Sequence, residues 1–170
     1  MILAKIDDLY YHTDTTLNNG TKIYLGDVVN WEDLGEYSVD IIYSMDNVNF
    51  FILALSGGLG DAGADISISE DYLELISSNG ETFPVVKVPN PNPNNEEDML
   101  ILAPYVFINK QKIEYGSRVT INNDFDEDSD EILYGLVEAL VFNDEGKIIA
   151  YVRDDLANNL IKVSVNNVFN

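Results

Sequence analysis

Short stretches in which apolar and polar side chains alternate recur along the whole chain, separated by clusters of Gly, Asn, Asp and Pro. Alternation with period two marks a strand with one buried face, and the separating residues are those that turn a chain. Residues 2–11 suit a first strand, and residues 13–20 read as turn chemistry ending on Asn18-Asn19-Gly20. Residues 22–29 are strand-like, and residues 30–37 form a polar connection with room for one helical turn. Residues 39–44 and 49–55 pair as a hairpin with Asp46-Asn47 at its tip. Residues 66–76 mix period two with helical spacing, so both assignments stay open there. Asn79-Gly80 then turns the chain into a strand over residues 83–88.

A break follows. Pro89-Asn-Pro-Asn-Pro-Asn-Asn-Glu-Glu-Asp98 has three prolines at alternate positions and then three acids, which suits an extended linker and no ladder. The division it predicts is an N-terminal lobe over 1–88, a linker over 89–98 and a C-terminal lobe over 99–170. Beyond the linker, Ile101-Leu-Ala103 echoes Ile2-Leu-Ala4. Lys112-Ile-Glu-Tyr-Gly-Ser-Arg-Val119 echoes Lys22-Ile-Tyr-Leu-Gly-Asp-Val-Val29, with Lys, Ile, Gly and Val in register at an offset of 90 residues. Internal duplication and chance both fit so short a match. Residues 134–142 and 147–153 around Asn143-Asp-Glu-Gly146 give the strongest hairpin signal, and Ala157-Asn158-Asn159 turns the chain into residues 160–165.

The expected fold is therefore all-β, or β-rich with one short helix, in two small barrel or sandwich lobes. The order of strand, acidic loop, long hairpin, turn and strand over residues 98–168 resembles the SH3-like barrels, including KOW and Tudor-type modules. In those a Gly-x-x-Val strand opens the barrel, as Gly116-Ser-Arg-Val119 would here. The basic residues by which KOW modules hold RNA are absent, so the resemblance implies a fold and no function.

Charge narrows the function. Thirty acids oppose nine bases, giving −21, while a 46% hydrophobic content is that of a folded chain. Residues 1–90 hold fifteen acids and three bases, and residues 91–170 hold fifteen and six, so no tail carries the excess. Such a surface repels nucleic acid and anionic membrane and attracts basic protein. Neither direct nucleic-acid binding nor membrane binding is expected. With no cysteine, no charged leader and no apolar run near the ~20 residues of a membrane span, the expected place of action is the cytoplasm. For a phage-encoded chain that means the host cytoplasm.

The densest charge is Asp124-Phe-Asp-Glu-Asp-Ser-Asp-Glu131, between strand-like residues 118–121 and 132–142. Carboxylates this close are solvated, bound to a cation or facing a basic partner. An EF-hand count fails, because position six is Ser129 and position twelve is Gly135 where a turn glycine and a bidentate Glu belong. Gly58-Leu-Gly-Asp-Ala-Gly63 matches a dinucleotide-binding fingerprint, yet Asp61 and Asp65 would face the phosphates, and a connecting loop is the better reading. His12 is the only histidine and has no Cys or Gly-x-Ser-x-Gly elbow to serve. No catalytic residue, metal site or cofactor is assigned, and the chain is not read as an enzyme.

What the sequence supports is an acidic module that covers a basic, nucleic-acid-handling surface of a partner protein. In composition it resembles the acidic nucleic-acid mimics that phages make against restriction or CRISPR systems, and nuclease immunity proteins. The residues assigned to the partner are Asp124, Asp126, Glu127, Asp128, Asp130 and Glu131, with Trp31, Glu32 and Asp33 as an aromatic ringed by acids. Packing under its own loop is the other reading of Trp31. A non-enzymatic structural or assembly module of a phage or bacterial complex is the alternative function.

Overall fold

The computed structural model describes residues 1–55, 73–78, 85–90, 99–122 and 132–169, with the side chains of residues 33, 54, 55 and 89 outside that description. All regular structure among them is β except two 3-10 turns, Glu32–Leu34 and Val165–Asn167. The chain forms two compact units, residues 1–2 with 7–86 and residues 3–6 with 87–170. β1 (Ile2–Ile6) is crossed by that division. The first unit holds β2 (Leu9–His12), β3 (Asp14–Thr16), β4 (Lys22–Tyr24), β5 (Val28–Trp31), β6 (Glu36–Met45), β7 (Val48–Leu55) and β8 (Leu73–Ser77). The second holds β10 (Met99–Leu102), β11 (Tyr105–Ile108), β12 (Gln111–Glu114), β13 (Arg118–Asn122), β14 (Ile132–Phe142), β15 (Ile148–Asp154), β16 (Leu160–Ser164) and β17 (Val168–Phe169), after β9 (Val86–Pro89).

Each unit is organised on one long strand. β7 runs along one edge of β6, while β5 and then β2 share the other, and β8 continues the sheet beyond β5. In the second unit β15 runs along one edge of β14, β13 and then β10 share the other, and β17 lies beyond β13. Both long pairs carry a register shift, between Val39 and Ile41 and between Val137 and Ala139. The larger sheets stay open among the described residues. Inward positions make the cores: Ile23, Val29, Val39, Ile42 and Phe51 in the first unit, and Ile113, Val119, Val137, Leu140, Ala150 and Val152 in the second.

The hairpin expected at Asp46-Asn47 is present, with both residues at positive φ (51° and 65°), as a tight two-residue turn requires. The Asn143–Gly146 turn joins β14 to β15, and the 3-10 turn falls inside the polar 30–37 connection. Three expectations need correction. Residues 2–11 are two strands, because Asp7 turns left-handed at φ 54°. Residues 14–16 are not turn but β3, paired with β4. The strand read over 22–29, and the stretch 112–119 that echoes it, are each broken at a glycine.

Those two breaks have the same chemistry. Gly26 (φ 81°) donates to the Val39 carbonyl at 2.7 Å, Asp27 N–H donates to Tyr24 O at 3.1 Å, and Val39 N–H returns to Asp27 O at 2.9 Å. Asp27 Oδ2 then accepts from Tyr24 N–H at 2.8 Å. At the second break Gly116 (φ 79°) donates to Val137 O at 2.8 Å, Ser117 N–H to Glu114 O at 3.0 Å, and Val137 N–H to Ser117 O at 2.9 Å. Ser117 Oγ takes the place of the carboxylate and accepts from Glu114 N–H at 3.0 Å. Positive φ at these glycines lets the chain leave one strand pair and join another, and an L side chain resists it.

Asp14 fastens the β3–β4 hairpin through Lys22 at 2.8 Å. Burial raises the Asp14 carboxyl, but hydrogen bonds from Lys22, the Met1 amine and Thr13 outweigh it and hold the pKa at about 2, below the usual 3.8. A depressed folded-state pKa stabilises above the unfolded value, and that contribution is lost as pH falls. Asp14→Asn is expected to lower the melting temperature by roughly 5 °C at pH 7. The difference from wild type should shrink between about pH 4 and pH 2. A difference that stays constant down to pH 2 would contradict the ion-pair assignment.

Candidate partner-binding surface

The acidic run Asp124–Glu131 lies outside the described residues, as do the Gly58–Gly63 loop and residues 91–98 of the expected linker. The chain on either side of the run is described. Asn122 and Ile132 are direct cross-strand partners at the last pairing of β13 with β14, so the segment carrying six carboxylates starts and ends at one place on the second unit. Both flanking side chains are exposed, while Ile121 and Leu133 turn toward the core.

Trp31 belongs to the first unit, at the end of β5 and opposite Leu73 of β8. Its ring is half-buried and tilted against Tyr37, with centroids 6.0 Å apart and an interplanar angle of 58°. The turn beyond it is closed by Trp31 N–H donating to Gly35 O at 3.0 Å, and by Asn30 Nδ2 donating to Glu32 O at 2.9 Å. Glu32 is exposed at φ 43°, and the side chain of Asp33 lies outside the description. The two groups of residues assigned to the partner thus fall in different units.

Sequence reasoning missed an apolar surface on the second unit. Ile132, Tyr134 and Leu136 alternate along β14 on the face away from the core, and all three are exposed. Thr120 of β13 lies directly between Tyr134 of β14 and Phe169 of β17. A cleft of about 450 Å³ opens there, lined by Arg118, Val119, Thr120, Tyr134, Asp155 and Leu156. Arg118 pairs with Asp155, whose N–H donates to Tyr134 O at 2.9 Å and so holds the 155–157 turn against β14. Leu156 at its tip is 88% exposed. A second exposed aromatic pair, Tyr105 and Phe107, stands on the β11–β12 hairpin with Lys112 5.0 Å from the Tyr105 ring.

The one histidine lies on β2 and is half-buried. His12 Nε2 lies 2.8 Å from Ser44 Oγ. Burial and the nearby terminal amine lower its pKa, against a smaller opposing pull from Asp14. No group of three His, Cys, Asp or Glu among the described residues is placed to hold a metal ion. No helix among them is long and apolar enough to cross a membrane. No known family, characterised protein or solved structure matches this chain.

Proposed function

We propose that this protein is a binding module that covers a basic surface of a nucleic-acid-handling partner, its carboxylates standing in for phosphates. The observation behind this reading is how its charges are spent. All nine Lys and Arg fall on described segments, and among the described residues five of them pair with the chain's own acids: Lys22–Asp14, Lys112–Glu114, Arg118–Asp155, Lys147–Glu145 and Arg153–Glu138. The run from Asp124 to Glu131 has six acids and no base within it. Duplex DNA carries a phosphate charge about every 1.7 Å of its axis, and six acids within eight residues are the densest row of carboxylates in this sequence. The class this describes includes phage proteins that block restriction or CRISPR systems and nuclease immunity proteins, acting in the cytoplasm where those targets work.

The repeated strand pairing and the matching glycine breaks support an internal duplication that produced the two units. The finer SH3-like reading of residues 99–170 rests on strand order alone. An assembly module of a phage or bacterial complex is the second reading, favoured by exposed Tyr105, Phe107 and Tyr134.

Sedimentation and competition separate the two. The mimic is expected as a discrete, non-associating species whose captured partner is released by duplex DNA and by salt, because charge-driven contacts are screened within about 10 Å at 0.1 M. Self-association, with no partner released by DNA, would favour the assembly reading and overturn the mimic.

A further inference from the structure

The matching pairing of the two units allows their solvent faces to be compared position by position. In the first unit Asn30 of β5 lies between Glu36 of β6 and Glu74 of β8, and both acids are exposed. In the second unit Thr120 of β13 occupies the same place, between Tyr134 of β14 and Phe169 of β17. Directly paired residues share a face of the sheet, so these are two rows of three on two outer faces. One reads Glu-Asn-Glu and the other Tyr-Thr-Phe. The first shows that a strand arrangement of this kind holds together with solvated carboxylates at these positions. Tyr134, 58% exposed, and Phe169, 44% exposed, are therefore surplus to what the arrangement demands. Leu136 extends their row along β14, and Leu156 borders the cleft beside it.

We propose that the Tyr134–Thr120–Phe169 row and the adjoining cleft dock an apolar side chain presented by a basic protein segment; the sign of the occupant's charge rests on the functional reading above. The cleft's 450 Å³ falls within the ~300–1,000 Å³ typical of binding pockets and has room for one large side chain. Charge selects the occupant. A second copy would bring another −21 to the contact, and nucleic acid is repelled in the same way. Asn122 and Ile132, where the sequence with six carboxylates leaves β13 and returns to β14, are paired two residues from Thr120 and Tyr134, so the attachment points of that charge adjoin the row. Arg118 does not oppose it, being paired with Asp155. Exposed aromatics next to a charged rim are the anchors through which protein interfaces gain most of their affinity.

The test uses two labelled lysine-rich peptides of equal length and charge, one with a central tryptophan and one with serine there, titrated by fluorescence anisotropy. The tryptophan peptide is expected to bind the intact protein more tightly. Tyr134→Gln with Phe169→Gln leaves net charge unchanged and is expected to weaken that peptide about tenfold, leaving the serine peptide unaffected. In the unaltered protein the ring protons of Tyr134 and Phe169 should shift when the tryptophan peptide is added, a readout that survives any folding defect of the variant. Binding of both peptides with no loss in the variant and no ring shifts overturns the docking row and leaves the basic-partner reading standing. Binding of neither peptide overturns both. A dimer that dissociates on the Gln substitutions would make the occupant a second copy and overturn the proposal.

Discussion

Gly135→Ala is expected to lower the stability of the second unit by about 3 kcal/mol or more, the upper part of the range for overpacking a close-packed site. Gly135 lies in the middle of β14, paired with Val119 on one side and Asp154 on the other. A Cβ there would stand 2.3 Å from the Arg153 carbonyl oxygen, 2.7 Å from Val152 Cγ1 and 3.0 Å from the Arg153 carbonyl carbon. Two of those atoms are backbone of β15, so relief requires parting β14 from β15, the pair at the centre of the core. Gly146→Ala is the comparison: its φ is 72° but nothing lies within 4 Å of an added Cβ. That substitution should cost only the left-handed backbone penalty of about 1 kcal/mol. Chemical denaturation of both variants checks the contrast, and equal losses would contradict the close approach at Gly135.

Asp27→Ala should be nearly as damaging to the first unit, by about 2–3 kcal/mol. Asp27 is fully buried, and its two carboxylate oxygens take separate donors, Tyr24 N–H at 2.8 Å and Ser78 Oγ at 3.0 Å. Alanine removes both acceptors and takes the Asp27 partner from a half-buried backbone N–H, at the turn where the chain passes from β4 to β5. Ser117, at the matching turn of the second unit, holds the corresponding N–H with one hydroxyl. Asp27→Ser is therefore expected to recover about half of the loss, keeping the Tyr24 bond and forgoing the one to Ser78. A urea titration in which the alanine and serine variants match would show that the Tyr24 bond contributes little.

The hairpin turns were readable because their chemistry is local. Asp46-Asn47 and Asn143–Gly146 carry residues that take up the required backbone at little cost. Gly26 and Gly116 were not readable as breaks, since each sits between apolar strand-forming positions, Ile23 and Val28 or Ile113 and Val119, and the reason for turning is a distant carbonyl, Val39 or Val137. β3 was missed because Asp14-Thr15-Thr16 has no apolar alternation, and it is held by pairing with β4 and by Lys22. The exposed row on β14 was hidden for the opposite reason. Ile132-Leu-Tyr-Gly-Leu is apolar on both faces, so period two marks a strand without marking which side meets water. Phe169 joins that row only through the pairing of β17 with β13, and nothing local announces it. The acidity of residues 124–131 is plain in the sequence, but a charge run states what it attracts and leaves the partner's shape unstated.

The most direct measurement concerns those carboxylates. Asp126, Glu127, Asp128 and Asp130 are replaced together by Asn or Gln, and affinity for the DNA-displaceable partner is compared with a control replacing Asp7, Asp8, Asp46 and Asp144 by Asn. The control residues are exposed acids at the turns after β1, β6 and β14, and both sets remove four charges. The expected result is a loss of at least about tenfold for the first set, partly as slower association, and only a few-fold change for the control. Equal losses would reduce the effect to overall charge, and no loss in either would contradict the phosphate-surrogate function.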